Sequence, residues 1–147
     1  VTTSITFFIL LQNYEKAFYW YQKAAAQGNT SGQNNLGDCY DMGHGVPQDY
    51  EKSFYWYEKA AERGNTSAQK NLGYAYENGR GVKQNYEKAV YWYDKAARKG
   101  NATAQNNLAY AYQHGHGVAK SVEAAVYWYD KAAKNGNEAA KKALSKL

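Results

Sequence analysis

The residues best suited to chemistry in this chain are three histidines and one cysteine. His114 and His116 form an H-x-H pair, and His44 occupies the position of His116 in an earlier glycine-rich stretch. Imidazole nitrogens bind metals, but a metal site usually needs three or four converging ligands. These histidines belong to two separate stretches, so the sequence predicts histidines in exposed loops, with no metal site and no cofactor.

Cys39 is the single cysteine of the chain. It stands where Ala75 and Ala111 stand in equivalent segments, which predicts a small buried thiol rather than a nucleophile. A lone cysteine excludes an internal disulfide framework and fits a reducing compartment. We therefore expect a cytoplasmic protein, although a chain that opens on valine leaves room for an upstream targeting segment.

No enzyme motif is present: the chain has no P-loop, no G-x-S-x-G and no paired CxxC. Its G-x-G-V stretches at 43–46, 79–82 and 115–118 lack the spacing of a dinucleotide-binding loop. The net charge of +5 comes from 18 basic and 13 acidic residues spread along the chain, not from a stripe suited to nucleic acid. No apolar run approaches the length of a membrane span. The sequence predicts a non-enzymatic protein that binds neither nucleic acid nor the membrane interior.

The elements that carry these residues repeat along the chain. Four tryptophans follow one another at intervals of 36 residues, at Trp20, Trp56, Trp92 and Trp128. A period of this length is typical of a solenoid, in which each unit buries its apolar face against the next.

Each tryptophan stretch is predicted to form a helix, called here a second-type helix. A residue able to cap the helix start precedes each one, at Asn13, Asp49, Asn85 and Ser121. Ala89, Ala96 and Ala97 mark the buried face in the third copy, with Trp92 on its flank. We expect these residues to hold neighbouring repeats together, and Gly28, Gly64, Gly100 and Gly136 to end the helices.

A first-type helix follows each of these glycines. Asparagines at 29, 65, 101 and 137 are predicted caps, and leucines at 36, 72, 108 and 144 are predicted core residues. The first three of these helices end in a G-x-G-V loop, whose two glycines allow a tight reversal. First-type and second-type helices should therefore pack antiparallel as hairpins.

Residues 1–12 depart from the repeat, because Phe7 and Ile9 replace the two loop glycines. Pattern alone leaves their secondary structure open. The favoured interpretation is a cover packed on the first repeated helix. The alternative is a homo-oligomer formed through residues 1–12, since an uncovered apolar run associates readily.

The repeat as a whole resembles the Sel1-like repeat over about residues 13–147. One unit carries the full set of matching residues, namely Ala68, Gln69, Leu72, Gly73, Tyr76, Gly79, Gly81, Val82, Tyr86, Lys88, Ala89, Trp92, Tyr93, Lys95, Ala96, Ala97 and Gly100. The tetratricopeptide repeat is less similar, because its period is 34 and its tryptophan normally lies in the first helix.

The resemblance implies an all-α, right-handed superhelical α/α solenoid of antiparallel helix pairs. We expect one domain over 1–147, with an atypical segment 1–12, a leading half repeat 13–28, repeats 29–64, 65–100 and 101–136, and a capping helix 137–147. The implied function is an adaptor for a protein or peptide in signalling or complex assembly. Two alternatives remain: a β-lactam-binding or hydrolysing protein, as in cysteine-rich secreted relatives, or a spacer in a larger, for example kinase-linked, protein.

Setting the leucines inward at about 100° per residue identifies the opposite side of the first-type helices, called here the first-helix face. In relatives it lines the concave surface, and we expect it to bind the partner. Its residues are Asn34, Asn35, Asp38, Lys70, Asn71, Tyr74, Glu77, Asn106, Asn107, Tyr110 and Gln113. The competing site is a convex tyrosine column on the second-type helices, formed by Tyr19, Tyr55, Tyr91 and Tyr127.

Overall fold

The computed structural model describes residues 2–147, and over that range the chain forms eight α-helices and no strand. They are α1 (Thr2–Ala26), α2 (Thr30–Met42), α3 (Tyr50–Glu62), α4 (Thr66–Asn78), α5 (Tyr86–Arg98), α6 (Ala102–His114), α7 (Val122–Lys134) and α8 (Glu138–Ser145). The even-numbered helices are of the first type and the odd-numbered ones of the second. The predicted all-α class, built from helix pairs that recur about every 36 residues, is confirmed.

The chain folds into two compact units. The first, up to Asn65, holds α1, α2 and α3, and the second, Thr66–Leu147, holds α4 to α8. Within each unit, helices that follow one another in the sequence pack together. None of the helices described here combines the length and the apolar character needed to cross a membrane.

The predicted caps explain where most helices begin. Side-chain oxygens of Asp49, Asn85 and Ser121 accept hydrogen bonds from backbone N–H groups three residues ahead, at 3.0, 3.0 and 3.2 Å. Three asparagines do the same at first-type helices, with distances of 2.7, 2.8 and 2.9 Å for Asn29, Asn101 and Asn137. Each bond satisfies a backbone donor that the helix itself cannot pair.

The first helix contradicts two predictions. Asn13 is not a cap, because it lies inside α1, which runs without a break from Thr2 to Ala26. The segment before it is not a cover packed on the first repeated helix but an extension of that helix. Its apolar side chains, including Phe7 and Phe8, are exposed. The physical reason is the missing loop: with no G-x-G turn to reverse the chain, the helix continues upstream.

Flat aromatic rings pack directly on the backbone of the first-type helices. A Cβ at Gly37 would lie 2.6 Å from the Tyr57 ring, and a Cβ at Gly73 would lie 2.6 Å from the Tyr93 ring. Only a hydrogen atom fits at such a distance, so glycine lets the helix and the ring approach closely.

The four tryptophans differ in burial although they occupy equivalent positions. Trp20 is 63% exposed, Trp56 and Trp92 are half-buried, and Trp128 is 7% exposed. The packing role expected of Trp92 therefore does not extend to Trp20.

Candidate partner-binding surface

The most exposed large side chains of the first-helix face are Tyr74 on α4 and Tyr110 on α6. Their exposed fractions are 41% and 44%. The Arg80 guanidinium lies 5.0 Å from the Tyr74 ring centre, and the rings of His114 and His116 lie 4.2 and 5.8 Å from that of Tyr110. These contacts limit the motion of the rings and leave much of their area open to a partner.

In the first unit the same position holds Asp38. Its Oδ1 accepts a 2.6 Å hydrogen bond from the Tyr57 hydroxyl. Asn35 is half-buried beside it, whereas Asn34 is only 7% exposed. The helical projection placed Asn34 outward, but α2 packs between α1 and α3 and buries more than one side. Asn34 therefore offers little surface to a partner.

Tyrosines from the buried side of the second-type helices reach through to this face, a connection that the sequence analysis missed. The Tyr93 hydroxyl donates to Oε2 of Glu77 at 2.7 Å, and the Tyr129 hydroxyl donates to Oε1 of Gln113 at 2.8 Å. These bonds hold the acceptor side chains in place. The sequence did contain a signal for these hydrogen bonds. The position of Tyr93 carries tyrosine, and not phenylalanine, in every copy, which indicates that its hydroxyl has a partner.

Burial raises the pKa of the Tyr93 hydroxyl well above its ordinary value, and the negative charge of Glu77 raises it further. The pKa of Tyr57 is raised in the same way by burial and by Asp38. A hydrogen bond from Asn107 acts in the opposite direction at Tyr93. Both hydroxyls therefore keep their protons near neutral pH and remain donors to the carboxylates.

Each unit has a cleft beside the first-helix face. The cleft of the first unit has a volume of about 280 Å³ and is lined by Tyr14, Ala17, Tyr21, Asn35, Asp38, Cys39, Met42 and His44. The cleft of the second unit has a volume of about 330 Å³ and is lined by Tyr110, Gln113, Tyr129, Ala139, Lys142, Ala143 and Lys146. The first contains a carboxylate and the second two ammonium groups, so the two clefts favour ligands of opposite charge.

Comparison with known proteins gives a single family. The model of the Sel1 repeat matches residues 8–29, 30–65, 66–101 and 102–137. The chain belongs to the Sel1 repeat family. Proteins of this family generally act as scaffolds for protein–protein interaction.

Solved structures agree with this assignment. The uropathogenic Escherichia coli protein c5321, a protective antigen with an SLR fold, is 41% identical with a TM-score of 0.84, over 86% of this chain and 27% of that one. A Sel1 repeat protein from Oxalobacter formigenes is 38% identical with a TM-score of 0.84, over 90% of this chain and 54% of that one. Helicobacter pylori cysteine rich protein B is 29% identical with a TM-score of 0.71, over 92% of this chain and 97% of that one.

The chain thus spans about a quarter of the length of the Escherichia coli protein and about half of the length of the Oxalobacter formigenes protein. No curated protein sequence matches the chain.

The Sel1 loop histidines have a packing role. His44 stacks on Tyr14 with ring centres 3.9 Å apart, and His116 stacks on Tyr86 at 4.8 Å. Both are half-buried, which corrects the expectation of exposed loop histidines; only His114 is exposed. Within residues 2–147, no group of three His, Cys, Asp or Glu side chains could hold a metal ion.

Cys39 is buried, as predicted. Burial raises the pKa of its thiol, and the nearby charge of Asp38 raises it further. The thiol is therefore protonated near neutral pH, and a protonated thiol is a poor nucleophile.

The tyrosine column of the second-type helices is exposed in all four Sel1 repeats. Each of its rings lies edge-on to the next residue, a tryptophan, with centres 5.1–5.2 Å apart. A lysine four residues along places its Nζ 4.8–5.1 Å from the tyrosine ring centre. Like Tyr74, each of these rings carries one cation–π contact, and their exposed fractions of 48–55% leave them as accessible as the tyrosines of the first-helix face.

Proposed function

We propose that this Sel1 repeat chain is a non-enzymatic adaptor, and that α4 and α6 hold a peptide or an exposed loop of a partner protein. The observation that supports the proposal is that the core positions and the first-helix face differ in how much they vary between repeats. Core positions are nearly constant from repeat to repeat, whereas the first-helix face changes from Asp38 to Tyr74 and Tyr110. A constant core with a variable aromatic face is typical of a repeat protein that recognises a specific partner.

The chemistry of this face suits an extended peptide. Tyr74 and Tyr110 offer large, rigid rings that lose little conformational entropy on binding. Half-buried Asn71 and Asn107 flank them, and an amide side chain can both donate to and accept from a peptide backbone. Glu77, fixed by the Tyr93 hydroxyl, adds a negative charge suited to a basic or hydroxyl side chain of the peptide.

We place this adaptor in cytoplasmic signalling or complex assembly. The support is the lone cysteine, which is buried and has no disulfide partner in the chain.

A selection experiment tests the proposal without a known partner. Peptides from a phage-displayed random library are selected on the immobilised chain, and their affinities are measured by fluorescence polarisation. Replacing Tyr74 and Tyr110 together by Ala should weaken the best peptides by about tenfold or more, the loss of roughly 1.4 kcal/mol or more of binding free energy. The matched control replaces Tyr91 and Tyr127, which are similarly exposed on the second-type helices, and should leave the affinity nearly unchanged. The opposite pattern would move the site to the tyrosine column.

A further inference from the structure

The cleft of the second unit is lined by residues of three helices, α6, α7 and α8. Tyr129 of α7 is buried at the cleft, and its hydroxyl donates to Oε1 of Gln113 on α6 at 2.8 Å. This bond holds both side chains in place. The cleft volume of about 330 Å³ is at the lower end of the range of ligand pockets, which suits one side chain of a peptide.

A small residue of α8 leaves space in this cleft. Ala143 occupies the position that Asn107 has in α6 one repeat earlier. The Asn107 side chain forms a hydrogen bond with Tyr93, whereas Ala143 is too short and too apolar to do the same with Tyr129, the equivalent of Tyr93. The space that an asparagine would fill beside Tyr129 is therefore available to a ligand.

This side of a first-type helix stays accessible when another helix packs behind it. α6 is followed by α7, and the two helices pack together. The residues of α6 equivalent to those that line the cleft on the α8 side are nevertheless exposed or half-buried, namely Thr103, Asn106, Asn107 and Tyr110. The accessibility of the cleft is therefore a property of the first-helix face, which the α8 residues continue.

Lysines give the cleft its charge. Lys142 lies on α8, Lys146 is the residue that caps the end of this helix, and both are exposed. Their neighbour Lys141 is outside the cleft and pairs with Glu138 at 2.8 Å. Among the described residues that line the cleft, none is acidic. Ammonium groups beside aromatic rings suit a ligand that joins a carboxylate to apolar carbons.

We infer that this cleft binds an acidic side chain, glutamate or aspartate, of the partner peptide, an inference that rests on the proposed function. The carboxylate is bound by Lys142 and Lys146, and the methylene groups of the same side chain pack on the rings of Tyr110 and Tyr129. Tyr110 belongs both to the cleft and to the exposed aromatic pair of the first-helix face. One peptide can therefore contact both.

Peptide selection on two versions of the full chain tests this requirement for charge. Random peptides displayed on phage are selected on the parent and on Lys142→Glu. Peptides from the parent should carry Glu or Asp at one position several times more often than the unselected library does, and peptides from the variant should carry Lys or Arg there. Parent peptides with no acidic preference would overturn the inference alone, because the proposed function stands if their binding still needs Tyr74 and Tyr110.

Affinity measurements separate local charge from overall charge. The probe is the best acidic peptide from the parent selection, amidated at its C-terminus so that only side chains supply carboxylates, and read by fluorescence polarisation. Lys142→Glu should weaken its binding by about tenfold or more, since a like charge then faces the carboxylate. The matched control is Lys141→Glu, which changes the net charge equally and should alter the affinity by less than about twofold. Equal losses would attribute the effect to net charge and contradict a site in the cleft.

Two further measurements complete the test. Replacing the acidic residue of the peptide by lysine should weaken binding to the parent and restore binding to Lys142→Glu, and the absence of this rescue would count against the direct contact. Ala143→Asn keeps every charge but fills the space beside Tyr129, so it should weaken the original peptide several-fold. An unchanged affinity would show that the acidic side chain does not enter the cleft. Lys142 and Lys141 are exposed, so the urea midpoints of the two lysine variants should match that of the parent.

Discussion

At the scale of single residues, the hydroxyls of buried tyrosines connect the core to the first-helix face. Tyr57, Tyr93 and Tyr129 pack their rings between helices and donate their protons to Asp38, Glu77 and Gln113. The packing of the rings and the orientation of the acceptors are thus coupled. A change in a buried tyrosine should therefore disturb the first-helix face as well as the stability.

Tyr93→Phe should reduce the free energy of unfolding by about 1–2 kcal/mol, because Glu77 loses a donor while the ring still fills its site. Urea denaturation followed by circular dichroism measures the change. Tyr91→Phe is the matched control, since Tyr91 is exposed and its hydroxyl lies outside the core. It should change the stability by less than about 0.5 kcal/mol. Equal effects of the two substitutions would show that the bond to Glu77 contributes nothing.

At the scale of elements, two of the G-x-G-V loops pack against an earlier second-type helix, the loop 43–46 against α1 and the loop 115–118 against α5. A Cβ on Gly45 would lie 2.4 Å from the Tyr14 carbonyl oxygen, and one on Gly117 would lie 2.3 Å from that of Tyr86. His44 and His116 stack on the same two tyrosines. These two loops are therefore packing elements as well as reversals of the chain.

The two glycines of the loop 115–118 allow the cost of the reversal and the cost of the close packing to be measured separately. Gly115 and Gly117 have φ values of 70° and 71°, but the nearest atom to a Cβ on Gly115 is 3.5 Å away. Gly115→Ala should cost about 1–2 kcal/mol for the left-handed backbone alone. Gly117→Ala should cost about 1–3 kcal/mol more, because its methyl group overlaps the Tyr86 backbone. Thermal unfolding of both variants measures the difference, and equal costs would contradict the close approach.

The first helix marks the limit of prediction from sequence at this scale. Second-type helices after Asp49, Asn85 and Ser121 begin where the capping residues predicted, because those caps act locally and follow a glycine loop. Asn13 has the same side chain but no preceding loop, and it lies inside a continuous helix. A capping residue permits a helix to begin but does not force it to do so.

At the scale of the whole molecule, the period of 36 residues predicted a solenoid, and the resemblance of the repeat residues to the Sel1-like repeat predicted the family. Periodicity records which residues each unit buries, and in a repeat protein that determines most of the architecture. It carries no information on contacts that link different helices, such as the hydroxyl of Tyr93 with Glu77. It is equally silent on differences between equivalent residues, such as the exposed Trp20 against the buried Trp128.

Our central proposal is that this Sel1 repeat chain binds its partner through the first-helix face. Hydroxyl-radical footprinting with a selected peptide, read by mass spectrometry, tests it most directly. Four exposed tyrosines serve as probes, two on each side: Tyr74 and Tyr110 against Tyr91 and Tyr127. We expect the bound peptide to slow oxidation of Tyr74 and Tyr110 several-fold and to leave oxidation of Tyr91 and Tyr127 unchanged. Protection of Tyr91 and Tyr127, with Tyr74 and Tyr110 still fully reactive, would contradict it.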